Sequence, residues 1–174
     1  MTPLHILTIP GSLRSISSTH AVLDACEAIL APGATVTRLG NIAVLPHFDD
    51  RPDIPAEVQT LRATIEAADA VLFCTPEYAF GIPGALKNMP DWTVATTVWA
   101  DKPVAVITAA TGGEHAHHAL LLTLTALGTA RAADRNLLIS FIRTKMAGER
   151  LSDASTLAQI NRVCAALLAA PGLR

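Results

Sequence analysis

Short apolar segments alternating with longer amphipathic ones predict a doubly wound α/β domain built on a parallel sheet. Three observations carry this reading. Five β-like segments are separated by stretches of helical periodicity, and Pro, Gly or polar clusters punctuate most of the junctions. The third of these segments is apolar on both faces, as expected for the middle of a parallel sheet. Neither an internal repeat nor a linker divides the 174 residues, a length that suits one domain over 1–174.

In chain order, residues 4–9 (Leu-His-Ile-Leu-Thr-Ile) are short and apolar and end at Pro10-Gly11, so they read as a buried first strand. From Ser17 to Leu30, Val22, Leu23, Cys26, Ile29 and Leu30 recur at helical spacing, and Pro32-Gly33 stops that helix. Residues 34–39 form a second strand. A loop rich in Pro and Asp follows over 46–55, with Asp53 expected as the N-cap of a helix running to Ala68. Residues 70–75 are a third strand, and a helix is expected from Ala85 to Trp92. Residues 103–108 are a fourth strand. A helix over 114–127 should end at Gly128, placed as a C′ stop. A fifth strand falls within 131–139, and a last helix covers 152–169.

Composition narrows the function classes. The chain is 51% hydrophobic and 16% charged, which excludes a disordered protein. A net charge of −2 gives no general reason to bind nucleic acid or an anionic membrane. The three cysteines, Cys26, Cys74 and Cys164, form neither a CxxC pair nor an even disulfide set, and suit a reducing compartment. The start at Met1-Thr2-Pro3 carries no secretion pattern, and no run of about eighteen uncharged apolar residues appears. The expected location is the cytoplasm, with no membrane span.

In a doubly wound sheet, ligands bind beyond the carboxyl ends of the strands, where the strand order reverses. The loops after strands one, three and four therefore carry the function. The first, Gly11 to Thr19, follows a strand and opens a helix, where unpaired N–H groups and the helix dipole favour an anion. Gly11 allows a tight turn, Ser12, Ser17, Ser18 and Thr19 offer hydroxyls, and Arg14 offers a charged fork suited to a phosphate. The loop has neither the GxxxxGK phosphate motif nor the dinucleotide GxGxxG. A simpler reading is that the hydroxyls only cap the helix and Arg14 is solvated.

Residues 75–92 read Thr-Pro-Glu-Tyr-Ala-Phe-Gly-Ile-Pro-Gly-Ala-Leu-Lys-Asn-Met-Pro-Asp-Trp. With Gly11-Ser12-Leu13-Arg14 and Thr111-Gly112-Gly113, this string resembles the NADPH-dependent FMN reductase family across residues 4–128. That family shows GS-x-R-x-x-S-x-N in loop one and PEYN-x-x-x-PG-x-LKN-x-x-DW in loop two. The resemblance implies a flavodoxin-like three-layer sandwich with a five-stranded parallel sheet in the order 2-1-3-4-5. It implies bound FMN, with NADPH or NADH as co-substrate and a small acceptor such as a quinone or free flavin. Ser12, Arg14, Ser17 and Thr19 would hold the FMN phosphate. Pro76, Glu77, Tyr78 and the backbone through Ala79, Phe80 and Gly81 would wrap the ring, while Thr111, Gly112 and Gly113 would line its other edge. A homodimer or homotetramer is implied as well. No general acid or base is named, because the cofactor supplies the redox chemistry.

The chain departs from the family pattern at two places. Thr19 replaces an Asn of loop one, and Ala79-Phe80 replaces an Asn and a small residue of loop two. Phe80 is expected either to cover the flavin or line the substrate pocket, or simply to pack at a subunit contact. Lys87, Asn88, Asp91 and Trp92 are expected to fix their helix and an interface. Glu114, His117 and His118 share a helical face that could ligate a metal, against the simpler reading of exposed histidines, and His115 or His118 could instead meet NADPH phosphates. The alternative to an oxidoreductase is a non-catalytic FMN-binding electron carrier or sensing module. A further alternative is a family member that has lost its flavin.

Overall fold

A computed structural model describes residues 3–170; Met1, Thr2 and residues 171–174, which the single-domain expectation includes, lie outside the described residues. Five parallel strands form the sheet in the order β2-β1-β3-β4-β5. They are β1 (Leu4–Pro10), β2 (Ala34–Arg38), β3 (Ala70–Thr75), β4 (Val104–Ala109) and β5 (Asn136–Ile139). Every residue of β3 and β4 is buried, whereas the edge strands β2 and β5 are largely half-exposed. The expected fold and strand order are therefore those observed.

Side-chain alternation assigns the two faces. Leu7, Ile9, Val71, Phe73, Val104 and Val106 point to one core, which α2 (Ala56–Ala67), α3 (Gly84–Asp91) and α4 (Glu114–Ala126) complete with Val58, Leu61, Leu86, Met89 and Leu120. Ile6, Leu72, Cys74, Ala105 and Ile107 point to the other, against α1 (Ser18–Leu30) and α5 (Ala154–Leu168). Burial on both faces explains why the central strands read as nearly continuous apolar runs, interrupted by buried Thr75 and Thr108. All three cysteines are free and buried in this second core, and burial pushes the Cys74 thiol well up from its ordinary pKa.

Helix ends follow local chemistry, with one correction. Gly128 takes the left-handed conformation (φ 78°) after α4, as expected of a C′ stop. Asp53 does not cap α2: the helix begins two residues later than that cap would place it, with Pro55 at the N-cap position. A proline there pre-sets φ at −57° and needs no hydrogen of its own. Between β5 and α5 the chain also forms a 3₁₀ turn (Ile142–Lys145) and a two-stranded hairpin, β6 (Met146–Ala147) and β7 (Arg150–Leu151). Sequence periodicity does not predict these short elements. Asp153 caps α5 by accepting from the Thr156 N–H and hydroxyl, contacts that hold its carboxyl below the usual range. Among the described residues, no helix is long and apolar enough to cross a membrane.

Candidate functional site

The carboxyl ends of β1, β3 and β4 open onto a cavity of about 640 Å³, within the usual range for small-molecule sites. Loop one forms its floor. The Gly11 N–H donates to the Cys74 carbonyl at 2.7 Å, which ties the loop to β3. A Cβ at Gly11 would stand 2.6 Å from Thr75 Oγ1, so only glycine permits this approach. The loop then rises to Ser17, whose hydroxyl accepts from the His20 N–H at 3.3 Å and caps α1. Ser12 Oγ accepts from the Arg14 N–H, also at 3.3 Å.

The remaining donors of this loop are unspent. Among the described residues, the backbone N–H groups of residues 15–19 have no protein acceptor. The Arg14 side chain is exposed and makes neither an ion pair nor a hydrogen bond. Thr19 is fully buried, and its hydroxyl is one of the few buried polar atoms without a partner. A buried polar group left unpaired is costly, so this one marks a site short of a ligand. Ser12, Arg14, Ser17, Ser18 and Thr19 all line the cavity. Loop one thus holds converging N–H groups, hydroxyls and a guanidinium, a combination that complements a phosphate.

Loop two contributes Pro76, Glu77 and Tyr78 to the wall. Tyr78 and Gly81 exchange backbone hydrogen bonds of 2.9 and 3.0 Å, closing a two-residue turn at Ala79 and Phe80. Both central residues have positive φ, 48° and 59°, the geometry that favours Asn-Gly in such turns. The family's Asn at the Ala79 position has a backbone reason here, because Asn adopts this conformation more readily than Ala or Phe. Phe80 is 78% exposed, packs edge-on against the His115 ring with centroids 5.2 Å apart, and stands outside the cavity.

Glu77 is committed to structure. Its carboxylate accepts from the N–H groups of Gly113 (3.2 Å) and Ala116 (2.9 Å), capping α4 where Gly113 has no side chain to do so. This bond pair fastens loop two to loop three. Thr111 lines the cavity, whereas Ala79, Gly81, Gly112 and Gly113 do not. Gly113 is required for packing: its φ is 112°, and a Cβ there would meet Leu138 at 2.7 Å. These residues shape the wall from behind.

The histidines diverge. His117 bonds Thr108 Oγ1 through Nδ1 at 2.9 Å, and burial lowers its pKa. His115 lies against Phe80, and neither His115 nor His118 reaches the cavity. Among the described residues, no group of three or more His, Cys, Asp or Glu side chains is placed to hold a metal. Lys87 pairs with Asp91, Asn88 binds the Pro46 carbonyl and the Phe48 N–H, and the buried Trp92 indole donates to Pro46. Asn88 and Trp92 thus lock α3 to the loop before α2, while the Lys87–Asp91 pair lies within α3.

Sequence reasoning missed the other wall. His20 and Asp24 on α1, and Ile142, Arg143, Met146, Gly148 and Glu149 from the β5–α5 segment, also line the cavity. Asp24 and Glu27 bind Arg38, which raises the Arg38 pKa chiefly through the Glu27 bond. In the sequence the segment shows only scattered apolar residues, Phe141, Ile142 and Met146, among polar ones.

Comparison with known proteins places this geometry. Over 133 residues the chain is 35% identical to a quinone reductase of Pseudomonas putida, covering 70% of each. It is 35% identical over 116 residues to an NAD(P)H-dependent FMN reductase of Pseudomonas aeruginosa, a match covering 63% of this chain but 61% of that protein. The chain thus spans about three fifths of the length of the Pseudomonas aeruginosa protein and of an Escherichia coli quinone reductase. The solved structure of the flavoenzyme NAD(P)H:(acceptor) oxidoreductase FerB from Paracoccus denitrificans superposes with a TM-score of 0.78 at 27% identity, over 95% of this chain and 96% of that one. Residues 4–142 match the sequence profile of the NADPH-dependent FMN reductases, and the chain belongs to that family.

Proposed function

We propose that the protein is an FMN-dependent NAD(P)H oxidoreductase acting through one FMN-binding domain. The observation that carries the reading is the unspent donor set of loop one: the N–H groups of residues 15–19, the Arg14 guanidinium and the orphaned Thr19 hydroxyl. These groups fit a terminal phosphate, and the cavity beside them has room for a small-molecule ligand. Ser12, Ser17 and Ser18 add hydroxyls at the same end. Pro76, Glu77, Tyr78 and Thr111 line the adjoining wall, which Ala79, Phe80, Gly81, Gly112 and Gly113 support from behind.

Bound FMN would supply the redox chemistry, hydride transfer from NADPH or NADH to a small acceptor. The chain grips the phosphate, orients the ring through loops two and three, and walls it with Ile142 and Met146. The similarity to quinone reductases favours a quinone acceptor. Exposed Tyr78 (50%), Phe80 (78%) and Phe141 (64%) favour a homodimer or homotetramer, and the free, buried cysteines suit a reducing cytoplasmic setting.

The test is a visible spectrum of the purified protein, repeated after adding NADPH without oxygen. A yellow protein that NADPH bleaches supports the reading. A colourless protein that takes up no added FMN overturns it, and a yellow protein that neither NADPH nor NADH bleaches assigns an electron carrier instead.

A further inference from the structure

Arg143 lies just beyond the segment matched by the family profile, which ends at residue 142. It lines the same cavity as Arg14, is exposed, and forms no ion pair among the described residues. Its backbone is held firmly to loop three. The Phe141 N–H donates to Thr111 O at 3.0 Å, the Ile142 N–H to Ala110 O at 3.1 Å, and Ser140 Oγ to Gly112 O at 3.2 Å. Ile142 itself is 3% exposed and seals this attachment in the core. Phe141, directly before it, sits at φ 52°, a strained conformation for a bulky residue that turns the chain into the 3₁₀ segment carrying Arg143.

Charge in the cavity favours an anion larger than one arginine can neutralise. Of the carboxylates on its wall, Asp24 is held by Arg38 at 2.7 Å and Glu77 by the α4 N–H groups. His20 Nδ1 lies 3.2 Å from the Arg38 guanidinium. Glu149 is the one lining carboxylate left without a partner among the described residues. Two uncommitted guanidinium groups and a single uncommitted carboxylate therefore line the cavity. A phosphate monoester carries about −1.5 to −2 charges near pH 7, more than Arg14 balances alone.

We propose that Arg143 is the second cation of the phosphate grip, so that Arg14 from loop one and Arg143 from the β5–α5 segment together bind the FMN phosphate. The inference rests on the FMN reading above. It assigns a ligand-binding role to a segment outside the loop motifs, and makes the hairpin 146–151 the support of that side of the site.

The experiment is equilibrium titration of the full-length protein with FMN and with riboflavin, which lacks the phosphate, at low and high salt. Arg143→Ala should weaken FMN about tenfold, leave riboflavin unchanged, and flatten the salt dependence of FMN binding. Arg143→Lys should restore part of the loss, and Glu149→Gln should tighten FMN. Equal losses for FMN and riboflavin would show a structural role and overturn the proposal. Unchanged FMN affinity with a raised KM for NADPH would assign Arg143 to the co-substrate and overturn it as well. If Arg14→Ala lowers FMN selectivity and Arg143→Ala does not, the functional reading stands and this inference fails. A wild-type protein that binds no FMN removes both.

Discussion

In loop one, the N–H groups of residues 15–19, the Arg14 side chain and the Thr19 hydroxyl find no partner within the described protein. In loop two, the Tyr78 and Gly81 backbones satisfy each other, and both oxygens of Glu77 are taken by the start of α4. The two loops border one cavity, yet one keeps its polar groups for a ligand while the other uses them to hold its own shape. Binding strength should therefore depend on loop one, and the rigidity of the adjoining wall on loop two. The free protein is destabilised at the first and strained at the second, where Ala79 and Phe80 both have positive φ.

This contrast predicts substitutions of opposite sign. The largest stability effect is expected at Glu77. Glu77→Ala leaves two N–H groups of α4 without their carboxylate and should cost about 2 kcal/mol in urea unfolding, whereas Glu77→Gln should cost less. Equal, negligible losses for both would show that the bond pair does not brace the loops. Thr19→Val removes a buried hydroxyl that has no partner, so it should stabilise the FMN-free protein by about 1 kcal/mol while weakening FMN binding. Destabilisation of the FMN-free form would mean that the hydroxyl is already satisfied. An effect of similar size is expected in the strained turn. Replacing Ala79-Phe80 by Asn-Gly should relieve positive φ at both positions and raise Tm by about 2–4 °C, for a gain of about 1 kcal/mol. A lowered Tm would mean that the Phe80–His115 contact outweighs the strain.

The fold was legible because its signals are local and periodic: nearly continuous apolar runs for β3 and β4, helical spacing in α1, and Gly128 after α4. Asp53 misled because a proline two residues later starts α2 without a side-chain cap. Loop one was legible because its donors lie consecutively in the chain. The turn at Ala79-Phe80 was not, since neither residue belongs to the usual turn formers and only the backbone reveals its type. The hairpin 146–151 was missed for a different reason. Its strands are two residues long, too short for any period, and its place beside the cavity depends on long-range bonds to loop three.

The central claim is that the unspent donors of loop one are reserved for a phosphate. Titration of wild-type and Arg14→Ala protein with FMN and riboflavin tests it most directly. Wild-type protein should bind FMN at least about 100-fold more tightly than riboflavin, and Arg14→Ala should remove about 10- to 100-fold of the FMN affinity while leaving riboflavin unchanged. Equal affinity of the wild type for the two flavins, or an equal loss for both on removing Arg14, would contradict the account.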